Sequence, residues 1–366
     1  MKKLMGLILV TILVMSTFTG CGSKQNDVEP STGDNTSNET QTKNKDNEST
    51  SKPKIGVTIY KYDDNFMTYT RNAMTAAAEG NAELIMNDSQ NNQSVQNDQV
   101  DVMINKGVQA LVINLVDPGA ATTIADKAKA AGIPVIFVNK EYPDGTDKID
   151  YESTWYVGTQ SKESGDIQGK LVAAAWEEHP EWDRNGDGVM QYVMLMGEPG
   201  HPDAEARTKY SIEYIENEGI KTEELEKQTG MWDATKGKEL MTTWLGKEGD
   251  KIEMVLCNND GMALGVVEAL KADGYFTDDK FMPVVGVDAI PEALDLIEEG
   301  IMVGTVLNDP LNQGKSAIQM AINVATEKDV LEGIDSELDE TKAVRVPYQP
   351  ITKDNIKLAK RAYGME

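Results

Sequence analysis

Two short segments concentrate the chemistry this chain can do. The first, Gly197-Glu198-Pro199-Gly200-His201-Pro202-Asp203-Ala204-Glu205-Ala206-Arg207, packs an imidazole, carboxylates and a guanidinium into one strand-to-helix junction. Asp203 and Arg207 stand four apart on one helix face, as a binding pair or as a plain surface ion pair. His201 is one of only two histidines; the other, His179 in Glu-Glu-His-Pro, reads as a solvated cap at a helix end. No nucleophile, base and orienting group come together, which argues against an enzyme. Neither a Walker lysine pattern nor a Gly-rich dinucleotide fingerprint follows the first strand, so nucleotide phosphates find no cradle.

The second segment, Asp183-Arg184-Asn185-Gly186-Asp187-Gly188-Val189-Met190-Gln191, sets Asp, Asn and Asp at alternate positions and Gly at the sixth. Oxygen ligands at that spacing wrap a hard cation, as in the first half of an EF-hand calcium loop. Val189 would give its carbonyl and Gln191 a side-chain oxygen. The twelfth position is Met194, not Glu. On local pattern alone, calcium and a simple Asp/Asn/Gly turn both stand.

Elements must position these groups, and from Lys54 the pattern is β-α alternation. Ile55 to Tyr60, Leu84 to Met86, Ala110 to Leu115 and Ile133 to Val138 read as strands, separated by helices over Asn65–Ala78, Gln93–Lys106 and Ala120–Ala131. The rhythm restarts at Tyr156-Val157-Gly158 and continues through Gln191–Met196, Ile252–Leu256, Pro283–Val287 and Val303–Leu307. Short apolar strands spaced by amphipathic helices predict an α/β fold of two doubly wound parallel-sheet lobes. Ligands of such sheets bind beyond the carboxyl ends of the strands. Nearly every strand here ends in Asn or Asp: Asp63-Asp64, Asn114, Asn139-Lys140, Asn258-Asn259-Asp260, Asp288 and Asn308-Asp309. Each alone is explained by turns and helix caps; as a set they outline a ligand cleft. Amides, carboxylates and a guanidinium together suit a neutral sugar, whose hydroxyls both donate and accept, with Phe66 and Trp232 as candidate flat faces.

The chain opens Met-Lys-Lys, runs apolar from Leu4 to Phe18 and reaches Thr19-Gly20-Cys21. A basic start and an apolar run below the roughly 20 residues that span a bilayer describe a secretory signal over residues 1–20. Cys21 directly after Gly20 makes it a lipoprotein signal with Cys21 diacylated; a free cysteine after an ordinary signal, or a membrane anchor, are the alternatives. Two acyl chains would hold the protein at the extracytoplasmic face of the cell membrane. Residues 21–53, polar after Cys21, read as a flexible tether. Cys257, the only other cysteine, lies in the apolar run Met254-Val255-Leu256, and no local base would activate it. A net charge of −26 repels phosphates and anionic headgroups, so nucleic acid is not a partner.

At Ile55-Gly56-Val57-Thr58-Ile59-Tyr60-Lys61-Tyr62-Asp63-Asp64-Asn65-Phe66, Asn114-Leu115-Val116-Asp117-Pro118, Glu198 to Arg207 and Val306-Leu307-Asn308-Asp309 the chain resembles the galactose/glucose-binding proteins of ABC uptake systems. The similarity runs from about Lys54 to the end. It implies a type I periplasmic-binding fold with three hinge crossings, near Asn139-Lys140, Asn308-Asp309 and Val346-Pro347. The lobes would then be 54–139 plus 310–345 and 140–309 plus 346–366. It further implies that Asp64, Asn114, His201, Asp203, Arg207, Asn259, Asp288 and Asn308 hydrogen-bond D-glucose or D-galactose, sandwiched by Phe66 and Trp232. The carboxylate matching Asp64 would accept from the 4-hydroxyl of either epimer. The resemblance also completes the calcium shell of Asp183, Asn185, Asp187, Val189 and Gln191 with the distant Glu253, giving Ca2+ a structural role. An insertion near Gly274 to Phe281 would sit away from the sugar contacts. The expected protein is a monomer that delivers sugar to transporter membrane subunits. Presentation of sugar to a chemoreceptor or histidine kinase is the alternative. A lac-repressor-like transcription factor would need a helix-turn-helix where this chain has its signal and tether.

Overall fold

The computed structural model describes residues 52–142, 149–277 and 280–365. The signal 1–20, Cys21 and all but the last two residues of the 21–53 tether lie outside them.

The chain alternates strands and helices in the order β1 (Lys54–Ile59), α1 (Asn65–Ala78), β2 (Glu83–Asp88), α2 (Gln93–Asn105), β3 (Ala110–Ile113), α3 (Ala121–Ala131), β4 (Val135–Val138) and β5 (Thr154–Gly158). Then follow α4 (Ser161–Glu178), β6 (Val189–Met196), α5 (Pro202–Asn217), β7 (Lys221–Thr229), α6 (Ala234–Glu248), β8 (Met254–Cys257), α7 (Asp260–Ala272), β9 (Val284–Val285), α8 (Pro291–Glu298) and β10 (Thr305–Leu307). Helix α9 (Pro310–Ala325), β11 (Ala343–Arg345), β12 (Gln349–Ile351) and α10 (Ile356–Ala362) close the chain.

Six strands pair in the order β11-β5-β4-β3-β1-β2, all parallel. A second parallel sheet runs β7-β6-β8-β9, extended by bridges from β9 and Asp288 to the antiparallel pair β10-β12. Strands β3, β4 and β8 are apolar runs and β1 is buried from Ile55 to Ile59, without alternation, because helices cover both faces. In each sheet the order reverses at one place, between β1 and β3 and between β6 and β8, where a crevice opens at the carboxyl ends.

The first hinge crossing expected at Asn139-Lys140 is corrected by this topology. Strand β5 pairs with β4 on one side and β11 on the other, so it completes the first sheet and does not begin the second. The chain leaves the first lobe at Thr159-Gln160, one strand later, and residues 140–158 belong to the first lobe as far as they are described. It returns between β10 and α9, which packs on α1, and leaves again between β11 and β12.

One close approach sets the second lobe. A Cβ on Gly165 would lie 2.8 Å from the Ala206 carbonyl, and one on Gly169 2.5 Å from that of Ser211. These two glycines on α4 let α5 seat almost backbone to backbone, which brings Arg207 within reach of α4.

Candidate functional site

Three strand-end residues serve both readings of the sequence at once, capping a helix and facing the cleft. Asp64 precedes α1; its Oδ1 accepts from the Met67 N–H at 2.7 Å and its Oδ2 from the Tyr60 hydroxyl at 2.5 Å. Asn259 precedes α7, its Oδ1 accepting from the Met262 N–H at 2.9 Å. His201 precedes α5, and its Nδ1 accepts from the Asp203 N–H at 3.1 Å. That bond assigns the neutral tautomer with a proton on Nε2. Burial, with help from Lys140 and Arg207, holds the imidazole pKa well below its usual value. The ring is therefore a neutral donor, suited to a hydroxyl oxygen.

Arg207 is buried and fully engaged on one side. Its Nη2 donates to Asp203 at 3.0 Å, Nη1 to the Asn258 carbonyl at 2.8 Å and Nε to the Ser164 hydroxyl at 3.2 Å. Asp203 also accepts from Ser161 at 2.6 Å. The pair is thus a buried fixture, not the surface ion pair that its spacing also allowed. Asp288 follows β9 with Oδ1 accepting from Asn308 at 3.2 Å, while Asn308 accepts from Gln313 at 2.6 Å. Burial raises the Asp288 carboxyl well above the ordinary carboxylate range, against the pull of Arg207, 4.0 Å away.

Trp232 enters from the turn after β7 and packs edge-on against His201, ring centroids 5.1 Å apart. A Cβ at Gly197 would fall 2.0 Å from the indole, so only glycine there leaves the ring its place. Five non-glycine residues around the cleft hold positive φ: Asn139, Met231, Trp232, Asp288 and Ala289. Such conformations cost roughly 1–3 kcal/mol each and persist where the surroundings fix them.

One small cleft between the lobes is lined by Asp64 and Phe66 from the first, and by His201, Asp203, Arg207, Trp232, Asn259 and Asp288 from the second, with Asn308 at the second crossing. Nine of the ten residues expected to hold sugar thus meet. Asn114 does not. It is fully buried, accepting from the Tyr60 N–H at 3.1 Å and donating to the Val138 carbonyl and Asn139 Oδ1. Both of its Nδ2 protons are spent locking β1 to β4, which leaves one lone pair on Oδ1, and Asn139, with Tyr60 and Met67, lines the cleft. The signal was present, since Asn139 also ends a strand, but two asparagines one strand apart cannot be ranked without the sheet order.

Direct bonds span the cleft mouth. Lys140, buried, donates to the Val116 carbonyl at 2.9 Å and to Glu198 at 2.9 Å, and Glu198 also accepts from Asn91 at 3.0 Å. Lys140 and Asn91 belong to the first lobe, Glu198 to the second.

The Asp183 loop folds on itself. Asp183 accepts from the N–H groups of Gly186, Asp187 and Gly188, while Glu253 accepts from those of Arg184 and Gln191. Asn185 and Gln191 side chains both lie 3.0 Å from Asp187 Oδ2, so the amide and carboxylate groups converge. Among the described residues no group of three or more His, Cys, Asp and Glu side chains stands in metal-binding arrangement. A calcium shell here would lean on amide and carbonyl oxygens, which the loop supplies. Cys257 is buried in β8, and burial pushes its thiol pKa up, consistent with an inert core residue.

A model of the periplasmic binding protein domain matches residues 55–329. The D-galactose/methyl-galactoside binding periplasmic protein MglB of Haemophilus influenzae is 53% identical over 306 residues, covering 83% of this chain and 90% of that protein. A putative rhizopine-binding protein of Rhizobium meliloti is 30% identical over 305 residues, covering 82% and 91%. Among solved structures, an ABC transporter solute binding protein from Bacillus halodurans with bound myo-inositol matches at a TM-score of 0.71 and 31% identity, over 87% of this chain and all of the other.

Proposed function

This chain belongs to the periplasmic binding protein family, and from that premise and the cleft geometry we propose that it captures D-galactose or D-glucose outside the cytoplasm and delivers it to an ABC transporter. The observation that carries the reading is the composition of the cleft. Carboxyl groups (Asp64, Asp288), a neutral donor (His201), a guanidinium held by Asp203 and amides (Asn139, Asn259, Asn308) face two rings, Phe66 and Trp232. Such a set matches a ring of hydroxyls with apolar C–H faces. A hydroxyl missing or misplaced leaves a buried group unpaired, at roughly 1–3 kcal/mol each. Asp64 keeps acceptor capacity on both oxygens beyond its bonds to Met67 and Tyr60, enough to accept from an equatorial or an axial hydroxyl. The relative from Haemophilus influenzae, named for galactose, supports the choice of hexose.

Binding and release follow from the three crossings: the lobes part about them to admit sugar and close to desolvate it. The chain is a binding protein, not an enzyme, as its relatives are, and the sugar leaves unchanged. Isothermal titration with D-galactose and D-glucose tests the reading. One sugar bound per chain, recovered intact by NMR, is expected; no binding of either hexose would overturn it.

Two finer parts of the reading stand beside it. Asp183, Asn185, Asp187, the Val189 carbonyl, Gln191 and Glu253 would hold a structural Ca2+, whose positive charge would hold the loop's carboxylates together. Chelation should then lower the melting temperature and added Ca2+ restore it; a melting curve indifferent to both would remove the metal. Cys21 would carry the lipid that holds the protein at the membrane. Intact mass of detergent-extracted protein should show a diacylglyceryl adduct, and an unmodified Cys21 would exclude the anchor.

A further inference from the structure

Tyr348 is absent from the cleft lining, yet its hydroxyl touches the groups that read the ligand. It stands in the third crossing, between β11 and β12, and is buried. Its oxygen accepts from Arg207 Nη2 at 2.9 Å and from the Thr159 hydroxyl at 2.9 Å, and lies 3.4 Å from Asp203 Oδ2. A phenol has one proton to give and two lone pairs to fill, so these three partners use its whole capacity. Thr159 is the first residue of the first crossing, and its carbonyl accepts from Arg345 of β11 at 2.8 Å. Two residues on, Ser161 donates to Asp203 Oδ1. Two of the three crossings are therefore bonded to each other and, through one hydroxyl, to the Arg207–Asp203 pair.

From this we infer that Tyr348 is a positioning residue which orients the Arg207–Asp203 pair toward its sugar hydroxyls and links that orientation to the hinge. The inference rests on the proposed sugar-binding reading. It follows because Arg207 donates to Asn258, Ser164, Asp203 and Tyr348 in fixed directions, and only Tyr348 belongs to a crossing. Loss of its hydroxyl leaves one Nη2 proton and one Asp203 lone pair without partners, freeing the pair to turn.

The test is a thermodynamic cycle. Wild type and Tyr348→Phe are titrated with D-galactose and its 2-, 3-, 4- and 6-deoxy analogues. The phenylalanine variant should bind galactose about 10- to 100-fold more weakly, equivalent to one or two tenfold steps of 1.4 kcal/mol. Its penalty for the analogue that lacks the hydroxyl read by Arg207–Asp203 should shrink by a similar factor, while the other penalties hold. An equal loss toward every sugar would mark Tyr348 as merely structural and overturn the inference, as would unchanged affinity. If Tyr348→Phe does not fold, Thr159→Val, which removes only the crossing's contact with the hydroxyl, should give the same selective pattern in weaker form, and an even loss there overturns the inference equally. Failure of the wild type to bind either hexose would strike the sugar-binding reading itself.

Discussion

Replacing Glu198 by Gln should weaken sugar binding about 30- to 150-fold while leaving the ligand-free protein nearly as stable as before. Lys140 and Glu198 meet across the cleft mouth at 2.9 Å, with Lys140 side-chain exposure of 1% and Glu198 of 15%. Unit charges at that distance attract by about 6 kcal/mol at an effective dielectric near 20, before desolvation is subtracted. Removing one member of a fully buried pair costs roughly 3–5 kcal/mol, because the other charge is stranded. Here the cost should be smaller. Glu198 keeps some contact with water, and Lys140 retains its bond to the Val116 carbonyl, so about 2–3 kcal/mol is expected, which converts to the factor above at 1.4 kcal/mol per tenfold. In the open form both groups can solvate, so the loss falls on the closed, sugar-bound state alone. Burial already pulls the Lys140 pKa down and the Glu198 charge opposes that pull, so the neutral glutamine also favours loss of the Lys140 proton. Calorimetry measures the affinity, and thermal melting of ligand-free protein checks the fold. An affinity within threefold of wild type would falsify the claim that this bridge holds the lobes shut.

Gly197→Ala should abolish most hexose affinity, because its methyl would occupy the space of the Trp232 ring at 2.0 Å; tryptophan fluorescence should shift in parallel, and unaltered binding would show that the ring has another resting place. Asn139→Ala should weaken binding about tenfold or more at a modest cost in melting temperature, since alanine fits the positive φ there less well and the Asn114 amide loses one acceptor. Asn114→Ala should do the reverse, destabilising by about 1–3 kcal/mol with affinity largely kept, because its bonds all run to protein groups. The opposite pairing in titration and melting would restore Asn114 as the contact. Asp260 is buried and its pKa is pushed up to about 7 by desolvation, while it accepts from Thr305 and the Ile290 N–H. The folded protein thus binds a proton that the unfolded chain has lost, so this group's stabilisation is present below about pH 4 and is lost as pH rises through about 7. Urea midpoints should fall across that window in wild type and fall less in Asp260→Asn; equal slopes would exclude Asp260 as the source.

Several features were legible because they are local. Runs such as Ala110–Ile113 and Val135–Val138 are too apolar for anything but covered strands, and they are β3 and β4. Strand β7 leaves no apolar signal in the sequence because Lys-Thr-Glu-Glu-Leu-Glu-Lys-Gln-Thr is a polar edge strand, paired on one side only and mostly exposed. The sequence places the first crossing one strand early because Tyr156-Val157-Gly158 carries no mark of which sheet it will join. Asn114 and Asn139 look alike in the sequence for the same reason. Each ends a strand, and only the order β4-β3-β1 decides that one amide is spent inside the sheet and the other is left at the crevice.

Residue types and short spacings determined by themselves that this chain is an α/β protein with polar strand ends, a histidine-carboxylate-guanidinium turn and an oxygen-rich loop. Those are consequences of side-chain chemistry and of helix and strand periods, which act over a few residues. Which strand joins which sheet, which asparagine faces the cleft, and how Tyr348 reaches Arg207 across 141 positions of sequence were decided only in three dimensions. The physical reason is that a hydrogen bond depends on distance in space, and sheet pairing sets that distance between groups whose separation along the chain is silent.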